Sequence, residues 1–389
     1  MLRNRQCKTV FWVVALATAL LALPAAAADV PAQLPDPDNK APDTKKPIKV
    51  FILSGQSNMC GMGSIAKSLD PLVKKKGMFQ HLVDDDGNWT TRNDVFYMYN
   101  LGRATKTKAC PLSVHVNGRN IGPELQFGHI MGHVHGEVVL VIKACCGNRC
   151  LAYDVLPPSQ REGKFSNEKW PLGCEYDNWF IKYTKGILKD LSKAYPEYKG
   201  QGYEIAGFGW WQGHKDGLKP EWTGDYEKNL VALIEDLRKD FNAPKAPFVV
   251  ATVAFGGKRM SGKYLKILEA QMAVSDPKKY PEFAGNVASV DCRGFYRGGG
   301  AHYGNNAETY MLVGDAMGRA MASLLQKGGR TPATDARIWT NVQGRRLRAS
   351  LHAREGDTVK LRRQDGSVVT TSVSRLSPAD RAYLERVAR

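Results

Sequence analysis

Five short runs of aliphatic and β-branched residues do most to limit what this chain can fold into: Ile48–Leu53, Val138–Lys143, Ile205–Trp211, Phe248–Val253 and Val287–Asp291. Each is apolar at nearly every position rather than at alternate ones. A strand of that kind must be covered on both faces, which is the situation of a parallel strand between two layers of helix. Helical periodicity fills the intervals. Leu230, Leu233, Ile234 and Leu237 share one face of Asn229–Phe241, the pattern returns over Ala307–Leu325, and Pro123–Met131 reads as a helix opened by proline. Alternating strands and helices predict an α/β fold, a three-layer sandwich around a roughly five-stranded parallel sheet, with its site at the carboxyl ends of the strands.

The flanks read differently. Arg3, Arg5 and Lys8 precede an apolar run from Val10 to Leu23, then Pro24 and the alanines 25–28. That layout predicts a signal peptide over residues 1–28, and hence a secreted or periplasmic protein. The run is shorter than the ~20 apolar residues a membrane helix needs, so no span is expected once the signal is removed. Residues 29–47 are rich in Pro, Asp and Lys and read as a flexible linker. The main α/β domain is expected over 48–328. Gly328, Gly329, Thr331 and Pro332 mark a boundary. Beyond it, over 334–389, the runs Arg346–Leu351, Thr358–Arg362 and Val368–Val373 are short and alternating, and a helix Pro378–Leu384 is capped by Ser377. This predicts a small, separate β-barrel domain.

Composition narrows the partners. The chain is 43% hydrophobic and 24% charged, which fits neither a disordered chain nor a multi-span membrane protein. Its net charge of +17 comes without a nucleic-acid-binding motif, so attraction to anionic polysaccharide is the expected consequence and no nucleic acid partner is expected. Residues 330–389 carry 13 Lys and Arg against 6 Asp and Glu, a net of +7 that suits docking of this module on anionic polymer. Cys145, Cys146 and Cys150 lack the paired spacing of a zinc site, and Ile130 stands where a His129–His133 metal motif would need glutamate. No metal or organic cofactor is expected.

The chemistry concentrates at Ser54-Gly55-Gln56-Ser57-Asn58-Met59, directly after the first strand. A strand ending in Gly-x-Ser delivers a hydroxyl into the turn at the sheet's carboxyl edge, where a base and a substrate carbonyl can meet it.

This GQSNM opening resembles the sialate O-acetylesterase and acetylxylan esterase family, carbohydrate esterase family six of the SGNH hydrolases. Further segments match in order: Ile121-Gly122-Pro123-Glu124-Leu125 with Phe127-Gly128, then Val141–Ala144 with Gly147, then Trp211-Gln212-Gly213, then His302-Tyr303 before a long helix. The resemblance implies a serine esterase acting on O-acetylated carbohydrate. Ser57 would be the nucleophile and His302 the base, with the Ser57 and Gly147 backbone N–H groups and the Gln212 side-chain amide forming the oxyanion hole. Gln56, Asn58, Glu124, Asn148, His214 and Asp216 are expected to contact substrate. The chain departs from the family where it has Gly299, three residues before His302, since the family has Asp there. Asp291 at the end of the fifth strand, or Asp216, is then the candidate acid. A Ser–His dyad with a backbone carbonyl orienting the imidazole is the alternative. His214 replaces the family's Glu after Gln-Gly. The tail, from Ala336-Arg337-Ile338-Trp339-Thr340 to Leu376-Ser377-Pro378-Ala379-Asp380, resembles the small barrel domain of Sla-type adaptors.

Overall fold

The computed structural model describes residues 30–37, 41–102, 104–329, 337–363 and 367–378, together with 380, 381 and 384. The expected signal peptide lies outside the described residues. Among those described, no helix is long and apolar enough to cross a membrane.

The apolar runs do form a sheet, with seven strands: β1 (Ile48–Gly55), β2 (Thr91–Asn100), β3 (Thr105–Ser113), β4 (Val139–Cys145), β5 (Tyr203–Trp211), β6 (Phe248–Ala251) and β7 (Val287–Val290). Their spatial order is β3-β2-β4-β1-β5-β6-β7. Every pairing is parallel except the edge pair β2–β3. The chain starts in the middle at β1, builds outward to one side, returns to β4, and then builds outward to the other. β1 is therefore flanked by β4 and β5, with Gly55 level with both Cys145 and Trp211. That is the reversal point at which an α/β sheet opens a crevice.

Successive side chains of a strand point to opposite faces, and β1 divides its apolar residues accordingly. Val50 and Ile52 pack with Leu230 and Leu233 of α3 (Tyr226–Asp240), with Ile267 of α4 (Gly262–Ala273) and with Trp179. Phe51 and Leu53 pack with Leu125 and Phe127 of α2 (Glu124–Val134) and with Tyr310 and Met317 of α5 (Ala307–Gly329). The short helix α1 (Ser57–Cys60) follows β1 after one residue. The result is the helix–sheet–helix sandwich expected of the SGNH type.

Two strands went unanticipated, and each has a physical reason. β2 opens with charged residues, but Arg92 and Asp94 satisfy each other at 2.6 Å with 4% and 2% of their side chains exposed. β3 is a sheet edge studded with lysines, the usual protection of an open edge and a poor strand signal. The segment read as a linker also differs from expectation. Arg319 of α5 donates to the carbonyls of Val30 and Pro31 at 2.9 and 2.8 Å, and Leu34 is buried in the α2–α5 core layer. Leu34 is the apolar residue that lets a Pro- and Asp-rich stretch dock.

The C-terminal residues form a four-stranded antiparallel sheet, β8 (Arg337–Thr340), β9 (Arg346–Glu355), β10 (Thr358–Arg362) and β11 (Val368–Ser372). Trp339, Ala349, Val359, Leu361, Leu376 and Leu384 form its own core cluster. Ser377 Oγ accepts from the Asp380 N–H at 3.2 Å, and the Asp380 carboxylate accepts from Ser377 Oγ–H and Thr340 N–H at 2.8 Å each. The Ser-x-x-Asp spacing is thus a helix cap tied back to the first strand of the sheet.

Candidate active site

Ser57 is the first residue of α1. A helix leaves its first N–H groups without partners inside the helix, so the Ser57 N–H comes with its hydroxyl to the same edge. Glycine at position 55 is what lets β1 end there. Its φ is +153°, and a Cβ on it would collide with the Trp211 carbonyl oxygen and lie 2.8 Å from the carbonyl carbon. Across from Ser57, His302 brings Nε2 to 3.0 Å from Ser57 Oγ. Gly147, just past the end of β4, forms the third side. A Cβ there would lie 3.8 Å from Ser57 Cβ, so the glycine backbone faces the serine across an otherwise open gap.

The histidine is held from three directions. Asn58 donates through Nδ2 to the Ala301 carbonyl at 3.1 Å, while its Oδ1 accepts from Tyr310 O–H at 2.8 Å. Tyr310 also reaches the His302 carbonyl at 3.3 Å. Tyr303, fully buried at φ +51°, is wedged between Trp211 and Phe255, with near-parallel rings at 5.8 and 5.3 Å between centroids. A left-handed non-glycine residue is strained, and the two ring contacts hold it in place. Sequence reasoning named His302 but missed Tyr303 as its wedge. The aromatic neighbour of the histidine was the available signal.

The model of the carbohydrate esterase, sialic acid-specific acetylesterase family matches residues 47–323. The chain belongs to this family. A probable carbohydrate esterase of Arabidopsis thaliana is 23% identical over 265 residues, covering 66% of this chain and 85% of the relative. A solved Arabidopsis thaliana structure is 21% identical and covers 71% of this chain and 98% of that one, with a TM-score of 0.46. A carbohydrate acetylesterase structure from Xanthomonas citri is 13% identical, covers 80% of this chain and 62% of that one, and has a TM-score of 0.45.

Several of the residues expected at the site make contacts of their own within the fold. Gln212 is 2% exposed, and its side-chain NH2 donates to the Arg149 carbonyl at 2.9 Å and to Asp216 Oδ2 at 2.5 Å. Both hydrogens are committed, and its Oε1 accepts from Tyr226 O–H at 2.9 Å. In this structure the Gln212 amide thus braces the Arg149 loop and Asp216. Asp216 is fully buried and accepts from Leu151 N–H at 3.0 Å and Ala152 N–H at 3.0 Å in addition to Gln212. Burial raises its carboxyl to about 6, opposed by the Gln212, Leu151 and Ala152 hydrogen bonds. Its hydrogen bonds run to Leu151, Ala152 and Gln212, and none runs to His302. Asp291 fails in the opposite way. Its half-open carboxylate is gripped by Arg293 at 2.6 Å, which holds it below the usual carboxylate range. It too makes no bond to His302. Among the described residues nothing accepts from His302 Nδ1.

Three further residues expected to contact substrate, Gln56, Asn58 and Glu124, are buried and bonded within the fold. Gln56 is 3% exposed, and its Oε1 accepts from the Gly213 and Lys215 N–H groups at 3.4 Å each, tying the serine turn to the end of β5. Asn58 holds the histidine loop as described. Glu124 is 1% exposed and paired with Lys143 at 2.6 Å, while Lys143 also donates to the Cys60 carbonyl at 3.0 Å, anchoring the end of α1. Breaking such a buried pair typically costs about 3–5 kcal/mol. Trp210 and Trp211, 0% and 1% exposed, are packing residues. Asn148 is exposed at φ +58° beside Gly147, and His214 packs its ring against Tyr264 and Phe255. Burial, then the neighbouring His302 and Lys263, holds His214 below its ordinary pKa.

Proposed function

We propose that this protein is an exported serine esterase that removes O-acetyl groups from carbohydrate through a Ser57–His302 dyad. The observation that carries the reading is the 3.0 Å contact between Ser57 Oγ and His302 Nε2 at the carboxyl end of the central strand. For Nε2 to accept, the imidazole proton sits on Nδ1. His302 then takes the hydroxyl proton as Ser57 attacks the acetyl carbonyl. The Ser57 and Gly147 N–H groups receive the oxyanion, each such donor typically worth about 3 kcal/mol in the transition state. His302 returns the proton to the departing sugar oxygen, and a water activated by the same nitrogen hydrolyses the acetyl-enzyme. Asn148, exposed next to Gly147, and His214, near His302, are the residues that would touch the sugar. The basic C-terminal module expected over residues 334–389 serves retention on anionic polymer.

The test is Ser57→Ala, which should lower p-nitrophenyl acetate turnover on the order of 10^4-fold or more with the thermal unfolding profile unchanged. A fluorophosphonate should label the parent at Ser57. Labelling at another serine, or an active alanine variant, would overturn the assignment. Acetate released from acetylated xylan or acetylated sialic acid then names the sugar.

A further inference from the structure

A cavity of about 1150 Å³ opens beside the proposed reacting groups and shares Gly147 with them. It exceeds the roughly 300–1,000 Å³ usual for a small-molecule site, far more than one acetyl ester fills. Its wall is built for a ring. Trp170 is 41% exposed, yet its indole is fixed on two sides: the Arg149 guanidinium lies 4.7 Å from its ring centroid, and Nε1 donates to Asp154 at 2.9 Å. An exposed but immobilised indole offers contact at little ordering cost. The charges around it are unequal. Arg149 is paired with Glu175 at 2.9 Å and Lys193 with Asp190 at 2.7 Å. Among the described residues, Lys182 lines the same cavity without a carboxylate partner.

We infer that this cleft seats an acidic sugar chain carrying the ester, with one ring on Trp170 and a carboxylate at Lys182. The inference rests on the esterase reading above and deepens it: the substrate is an oligomer of uronic acid type rather than a lone acetylated sugar. A polymer running along the cleft would present one acetylated unit at a time past Gly147 to Ser57.

The experiment compares three substrates: p-nitrophenyl acetate, an acetylated oligogalacturonide and an acetylated neutral xylo-oligosaccharide. Trp170→Ala should raise KM about ten-fold on both chains, equivalent to ~1.4 kcal/mol, and should change p-nitrophenyl acetate turnover far less than it changes either chain. Trp170→Phe, which keeps a ring, should restore most of the loss. Lys182→Gln should weaken only the acidic chain, about five-fold, and the difference should shrink as salt rises. Equal Lys182→Gln losses on both chains would overturn the acidic assignment. Turnover of p-nitrophenyl acetate without turnover of either chain would overturn the cleft assignment and leave the serine esterase standing. An inactive parent on all three would instead sink the esterase reading itself.

Discussion

Ser57 follows the central strand and Asp216 follows its neighbour β5, and the two ends are wired in opposite ways. At the serine, polar groups are left open: the Ser57 hydroxyl has one partner, His302 at 3.0 Å, and no described residue meets His302 Nδ1. At Asp216, both oxygens accept, the Gln212 amide spends both hydrogens, and Tyr226 and Gln271 continue the network, with Gln271 Nε2 on the Gln212 carbonyl at 2.6 Å. A satisfied buried network is rigid, and an unsatisfied group is available to a ligand. On the proposed esterase reading, the open side is the reacting one, and the closed side fixes the Gly147–Ala152 loop beside it.

The sharpest way to break that contrast is at the base. His302→Ala should lower kcat about 10^3-fold, because nothing else described lies within reach of Ser57 Oγ. The variant should keep its unfolding midpoint, since the loop is held by Tyr303 and Asn58 rather than by the imidazole. An active alanine variant in stopped assays would mean that the open side is not the reacting side.

Asp216 comes next. In Asp216→Asn one face of the side chain turns from acceptor to donor and opposes the Gln212 amide or the Leu151 N–H. Leaving such a buried group unsatisfied costs about 1–3 kcal/mol, so kcat/KM should fall about 30-fold through displacement of the Gly147 loop. A second readout separates this from a direct catalytic role. The folded Asp216 pKa, about 6, is raised above its unfolded value. The folded state therefore binds a proton that the unfolded state does not, and the parent gains stability from this group as pH falls through about 6 toward 4. Buried, neutral His81 and His129 act in the opposite sense over the same window, with His81 lowered to about 4 by burial. The comparison is thus the difference in unfolding free energy between parent and variant at each pH. It should narrow as pH rises from 4 to 6, because the parent loses what the variant never had. A flat difference would remove Asp216 from the pH response.

How much of this was readable before the structure follows the same division. The open side is local. Gly55-Gln56-Ser57 at a strand end and His302 before a helix carry their chemistry in adjacent residues, and both lie where the sequence placed them. The closed side is assembled from distant segments. Asp216 meets Leu151 across 65 positions and Gln212 meets Arg149 across 63, and no spacing rule links them. Gln212 and Glu124 were read as working residues because a polar side chain in a matched motif looks the same in sequence whether it faces substrate or a buried partner. In the sheet, continuous apolar runs announced five strands, whereas β2 hid behind Arg92 and Asp94, which cancel each other only once folded.

Gly299 sharpens the comparison from the other direction. It lies three residues before His302, where the resembling family has aspartate. Its φ is outside the left-handed range that its neighbours Gly298 and Gly300 adopt, and a Cβ on it would meet nothing within 4 Å. Gly299→Asp should therefore be tolerated and should supply the acceptor that Nδ1 lacks. A gain in kcat of about ten-fold with unchanged KM is expected if the open side is limited by the orientation of His302. An unchanged kcat, with the carboxylate visible in a crystal structure at Nδ1, would mean that orientation is already complete.

The smallest effect belongs to Asp291, and its smallness is informative. This carboxylate sits at the end of β7, the position from which an acid could serve the histidine loop, yet both oxygens accept from Arg293 and the first accepts from the Arg293 N–H as well. Asp291→Asn keeps the backbone cap through its amide oxygen and loses the ion pair, which is about a third exposed on each side and so worth at most ~1 kcal/mol. Activity should change less than about two-fold at neutral pH, a difference below ~0.4 kcal/mol. The lowered Asp291 pKa places its stabilising charge above the unfolded carboxylate range, so the small stability difference between parent and variant should vanish as pH falls below about 4. A hundred-fold loss of kcat would mean that the loop between Cys292 and Ala301 rearranges on substrate binding to bring Asp291 to Nδ1. The dyad would then be a resting arrangement of a triad, and Gly299→Asp, by supplying a competing acid, should rescue Asp291→Asn. If Asp291→Asn is silent, the same rescue experiment leaves Gly299→Asp with its full gain in either background, and the two carboxylates act independently.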